Sequence, residues 1–176
     1  MNTHAITIHA RIDGKAFKRF GLFDTFILKK RWRSPALFAL ILSSFALICF
    51  LLGDKNQASM LGTLLLTIGL LLPAGYLLSF YLQLCAQVKR LGLQSPRAVY
   101  TLVFTETGVR IMNDMRKEPE LSLPYHELHG AWRNAKAVYL YASPSKAFIL
   151  PAGQASVSDA ELWQFLCSCL PKEKVH

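Results

Sequence analysis

Over two long stretches this chain carries no charge at all. Ser34 to Gly53 and Asn56 to Val88 contain no Asp, Glu, Lys, Arg or His, and only Asp54 and Lys55 separate them. A helix rising about 1.5 Å per residue needs roughly 20 apolar residues to cross the ~30 Å hydrocarbon layer of a bilayer, and both stretches reach that length. The pattern predicts a transmembrane hairpin. The same absence argues against ion paths, proton relays and voltage sensors, which depend on ionisable groups that are costly to place within a membrane.

Other absences narrow the chemistry. No G-x-S-x-G elbow, P-loop or G-x-G-x-x-G motif occurs, and spacing pairs no nucleophile with a base. The HELH segment, His126 to His129, is one residue short of the H-E-x-x-H spacing that puts two imidazoles on one helical face, so these read as surface histidines. The four cysteines are expected to be reduced and packed; Cys167 and Cys169, two apart on a helix, point in nearly opposite directions. No small-residue cleavage site follows the first apolar run, so a cleaved secretory signal is not expected. Neither a cofactor nor a metal is implied, and no enzyme activity is expected.

The 176 residues are 52% hydrophobic with a formal net charge of +9, and that charge is unevenly placed. Up to Arg97 there are twelve Lys and Arg against Asp13, Asp24 and Asp54; from Ala98 onward eight basic residues balance eight acidic ones. Basic residues flanking apolar spans follow membrane topology and anionic lipid rather than nucleic acid. The flanks are Lys29, Lys30, Arg31, Trp32 and Arg33 before the first span, and Lys89 and Arg90 after the second. With both flanks basic, both termini are expected on the cytoplasmic side. These seven residues are the candidate membrane-interface anchors, with Trp32, Tyr76 and Tyr81 as aromatic-belt residues. Ala39, Ser43, Gly62, Gly69, Gly75 and Ser79 supply small positions for close helix approach, and Pro73 is expected to kink the second span.

Outside the hairpin the periodicity changes. Ile6, Ile8, Ala10 and Ile12 alternate as in a half-buried strand, and Asp13 stands as the N-cap of a short helix carrying Phe17, Phe20 and Ile27. That helix fits equally an element lying on lipid or one packed on a soluble unit. Strands are predicted over Val99 to Thr105, Val109 to Met112, Leu121 to Leu123, Ala137 to Ala142 and Lys146 to Leu150, with turns at Glu106 to Gly108 and Ser143 to Ser145. Asn113 to Pro119 reads as a charged turn. Ser158 and Glu161 form an S-x-x-E capping box ahead of a helix that Pro171 ends.

The run VYTLVFTETGVRI, then LPYHELHGAWRNAKAVYLYASPSKAFILPAGQAS, then a final helix, resembles the bacterial YcxB-like family. That resemblance implies a small inner-membrane protein with a cytoplasmic pleckstrin-homology-like barrel and no assigned reaction. The head-group pocket that such barrels can carry is not expected here, because Glu106 makes the first hairpin loop acidic and Arg110, Arg116 and Lys117 are offset by Asp114, Glu118 and Glu120.

The expected fold class is therefore a membrane α-helical hairpin plus an α+β unit: two transmembrane helices followed by a small pleckstrin-homology-like β-barrel or sheet capped by a C-terminal helix. The expected segments are a cytoplasmic strand and juxtamembrane helix over 1–33, the hairpin over 34–88, and the barrel over 98–176. The expected role is a membrane-tethered adaptor in the bacterial inner membrane, with an accessory subunit of a transport or envelope-assembly complex as the alternative. The expected partners are anionic membrane lipids and either another protein or a second copy of the chain, with neither nucleic acid nor a small-molecule substrate.

Overall fold

The computed structural model describes residues 5–52, 57–114 and 120–176. The Asp54 and Lys55 turn, and Arg116, Lys117 and Glu118 of the charged turn, lie outside these residues. Two compact units form: one joins the N-terminal residues up to Phe20 with Leu91–His176, and the other is Gly21–Arg90. The N-terminal strand thus belongs to the same unit as the C-terminal half, not to a separate segment over 1–33.

In the first unit, strand β1 (Ile6–Ile12) pairs antiparallel with β2 (Arg97–Phe104), across 84 residues of intervening sequence. The sheet continues through β3 (Gly108–Asn113) and β4 (Leu121–Pro124). A second antiparallel sheet contains β5 (Gly130–Asn134), β6 (Ala137–Ser143) and β7 (Lys146–Pro151). The two-residue period of β1 turns Ile6, Ile8, Ala10 and Ile12 inward, where all four are buried. Ile6, Ile8 and Ala10 meet Leu102, Phe104, Val109, Leu140 and Leu150 in one core, to which helix α4 (Asp159–Cys169) adds Leu162 and Leu166. The Ser158 and Glu161 capping box starts α4 as the sequence predicts. Phe165 on α4 meets Phe104 and Tyr125 edge to face.

Strand β5 has no counterpart among the sequence-predicted strands. Its sequence, GAWRN, offers no β-branched residue and no clean alternation. Pairing with β6 holds it extended, and Gly130 allows the close approach: a Cβ there would sit 2.8 Å from the Trp132 ring and 2.9 Å from the Lys174 carbonyl oxygen.

Exposed strand edges invite unwanted pairing, and three in this unit are occupied. The outer edge of β1 bonds to the segment after β7: the Ser156 amide donates to Thr7 O, the Thr7 amide to Ser156 Oγ, and the Arg11 amide to Gln154 Oε1. Next to β5, the Arg133 amide donates to His176 O and the His176 amide to Ala131 O. On β7, the Tyr100 hydroxyl donates to Ile149 O at 2.9 Å and accepts from the Ile149 amide. Burial is the main cause holding the Tyr100 phenol well above its ordinary pKa, with the Ile149 backbone bond acting in the opposite direction.

Helix α1 (Gly14–Leu22) begins at Asp13, whose Oδ1 accepts from the Ala16 amide at 2.7 Å. Phe20 packs against Tyr139 and Tyr141 of β6, with ring centroids 5.3 and 6.2 Å apart, so the packed alternative for this helix is the one observed.

The second unit holds α2 (Arg33–Leu52) and α3 (Gln57–Arg90), both long and apolar enough to cross a membrane. They run antiparallel. Gly62 lies against Ala46 and Phe50, and Gly69 against Ala39, Leu42 and Ser43, each close enough that a Cβ would sit 3.0 to 3.2 Å from its neighbour. Small residues here do what the sequence predicts, letting two backbones approach. A π-helical stretch, Phe23–Leu28, precedes α2 and runs beside the far half of α3, with Phe26 edge-on to Phe80 at 5.1 Å and Gly21 against Leu84.

Candidate functional site

The basic segment ahead of α2 is folded into a tight turn. The Lys29 amide closes the π-helix on Asp24 O, the Arg31 amide donates to Thr25 O, and the Arg33 amide donates to Lys30 O as α2 begins. Lys29 Nζ is 2.6 Å from Asp24 Oδ2, so one of the four cations is already paired. Lys30, Arg31 and Arg33 make no ion pair among the described residues, and their side chains are exposed. Lys30 has φ of +50°, and among the described residues no other non-glycine residue has positive φ. A lysine in that region is held there by the turn around it, since nothing in its side chain favours the conformation.

The turn opens onto a groove of about 600 Å³. Lys30, Arg31, Arg33 and Ser34 form its polar rim, while Pro35, Phe38, Leu72, Pro73 and Tyr76 form the apolar remainder. Among the described residues no acidic one lines it. Trp32, half exposed, stands beside this rim in sequence but does not line the groove.

The antiparallel register separates the two basic segments along α3. The sequence presents Lys29 to Arg33 and the Lys89–Arg90 pair as matching flanks of one hairpin. In the structure the groove brings Lys30 to Arg33 level with Leu72 to Tyr76 of α3. Lys89 and Arg90 lie at the end of α3, thirteen and fourteen residues beyond Tyr76 or about 21 Å farther along its axis. The arms are unequal because α3 has 34 residues against 20 in α2, and the surplus half of α3 packs on Phe26 and Gly21 instead. Uncharged composition runs through both halves of α3, so hydropathy alone could not reveal the offset. Pro73 lies beside the basic turn, and α3 continues through it.

Small residues on α3 divide likewise. Gly62 and Gly69 are used by α2, whereas a Cβ on Gly75 would meet nothing within 4 Å. Gly75, Leu78, Ser79, Leu82, Gln83 and Ala86 line a shallow open surface on the same helix.

His126 and His129 do not converge on a common site. His126 Nε2 is 3.8 Å from Glu127 Oε1 on an exposed side chain, and the His129 ring faces Trp132. Among the described residues no three His, Cys, Asp or Glu side chains are grouped as a metal site would need. The four thiols are free. Arg110 stands 4.0 Å from Glu120 on the exposed side of β3, and the β2–β3 turn contributes Glu106 to a groove bounded by Glu161 and Phe165 of α4.

No protein-family model matches the chain, and neither a curated protein nor a solved structure does.

Proposed function

We propose that the protein is a membrane-tethered adaptor, with α2 and α3 crossing the bilayer and the β unit presented at the cytoplasmic face as a binding module rather than an enzyme. The observation that carries this reading is the exposure of the two helices. Only 6% of the apolar window in α2 and 11% of that in α3 is buried, far too little for the core helices of a soluble protein. Leu40, Leu47, Leu51, Met60, Leu70 and Leu71 are each more than half exposed, which water tolerates poorly and lipid does not penalise.

The pairing of β1 with β2 supports placing both ends of the helical pair on one side. β1 comes before α2 and β2 follows α3, so a chain that crosses at α2 must return at α3 for the sheet to close. The basic turn argues for the cytoplasmic side. Four and three antiparallel strands around one core, with α4 packed on it, are consistent with a pleckstrin-homology-like unit of the YcxB-like kind.

The test exchanges α2 and α3 for an unrelated membrane hairpin of matched length. An adaptor keeps the partners recovered by cross-linking from native membranes. If they are lost, the alternative is favoured, an accessory subunit of a transport or envelope-assembly complex whose helices form the contact surface. Should the purified chain stay monodisperse in buffer without detergent, the membrane reading itself fails.

A further inference from the structure

The groove between the start of α2 and the Pro73 region of α3 combines two chemistries that a soluble ligand would not need together. It carries three cations, Lys30, Arg31 and Arg33, and among the described residues no carboxylate shares the lining to neutralise them. Asp24, in the preceding helical turn, is engaged by Lys29. Most of the rest of the lining is apolar, including Phe38 of α2 and Leu72 and Pro73 of α3, on helices whose leucines are largely exposed. Arginine guanidinium groups match phosphate oxygens in geometry and charge, while an alkyl chain suits the floor.

We propose that this groove binds one anionic phospholipid, its phosphate held by Lys30, Arg31 and Arg33 and one acyl chain lying along Phe38, Leu72 and Pro73. The proposal rests on the reading that α2 and α3 cross a bilayer. Charge complementarity selects the occupant: a zwitterionic lipid would bring a fourth cation to a lining that already has three, and a free phosphate ester would leave the apolar part of the groove empty. The backbone at Lys30 agrees with that selection. At φ +50° glycine would be the easier residue, so a cation is kept at the rim against the backbone's preference.

The experiment uses the full chain in a mild uncharged detergent, with lipid retention read by native mass spectrometry and melting temperature measured on the same samples. Phosphatidylglycerol, phosphatidylcholine and glycerol 3-phosphate are the three probes. One phosphatidylglycerol per chain is expected, bound about tenfold more tightly than phosphatidylcholine, with glycerol 3-phosphate failing to displace it. The R31Q/R33Q double variant should lose about 25-fold in affinity, each basic group near an anionic lipid contributing roughly a fivefold factor. A K30G variant should lose about fivefold while its lipid-free melting temperature stays level or rises, which a purely structural role for Lys30 would not produce. K136Q/K172Q, with the same change in net charge but altered far along the chain, should bind as the parent does.

Equal retention of the two phospholipids, or unchanged affinity in R31Q/R33Q, overturns the site while leaving the membrane reading intact. Displacement by glycerol 3-phosphate would also overturn it, by showing that the head group alone suffices. A chain that is monodisperse without detergent is the separate outcome that removes the premise.

Discussion

Replacing Ile8 with alanine tests whether a strand placed before the helical pair is part of the core formed after it. Ile8 is fully buried among residues from β2, β3, β6, β7 and α4. Ile8→Ala removes three carbons, worth about 0.8 kcal/mol each in transfer alone, and the cavity left in a sandwich closed on several sides adds to that. The expected loss is about 3 kcal/mol, a large share of the ~5–15 kcal/mol typical of a domain. Arg11→Ala, on the same strand but facing outward, should change stability by no more than about 0.5 kcal/mol. Denaturant unfolding of the full chain in detergent, followed through Trp132 and Trp163, reads both variants. A loss below about 1 kcal/mol for Ile8→Ala, or equal losses for the pair, would refute the placement of β1 in the core. Removing residues 1–12 should then leave the remaining β unit rapidly cleaved by protease, and unchanged resistance would count equally against that placement.

Tyr100→Phe strips the Ile149 amide and carbonyl of their shared partner and should cost about 1–3 kcal/mol in the same unfolding assay. Because burial raises the Tyr100 pKa in the folded state, the neutral phenol is favoured there; stability is complete below the ordinary value of 10.0 and falls as pH rises above it. A melting-temperature titration above pH ~10 should show this decline, less steeply in Tyr100→Phe, and equal slopes would count against it. Ser158→Ala should cost about 1 kcal/mol by removing the α4 cap, with a measured change near zero rejecting the capping role. Gly62→Val should weaken the α2–α3 pair by about 1–3 kcal/mol because its Cβ would press on Phe50 and the Ala46 carbonyl, whereas Gly75→Ala should be neutral or mildly stabilising. Thermal aggregation in detergent ranks the two, and equal behaviour would remove the distinction between a filled and an open face.

Local patterns in the sequence are enough for most elements. Period-two alternation marks β1 and β2, turn residues mark the hairpins, the S-x-x-E box marks α4, and uncharged length marks α2 and α3, because each signal acts over a few neighbouring residues. Strand β5 is invisible in the sequence because GAWRN becomes a strand only through β6 beside it and the C-terminal residues on its other edge. The candidate site is half legible. KKRWR announces a basic anchor, yet nothing in it says that Lys29 is spent on Asp24, that Lys30 is left-handed, or that the other three cations share a groove with Pro73.

By itself the sequence determined two uncharged helices, a basic flank and an alternating strand-rich remainder, since composition and period act locally along the chain. Only tertiary structure decided that β1 closes against β2 from the other side of the helical pair, and that α2 meets α3 in a register leaving the two basic flanks about 21 Å apart along α3. Those outcomes come from packing between residues distant in sequence: core closure around Ile8, and backbone approach at Gly62 and Gly69.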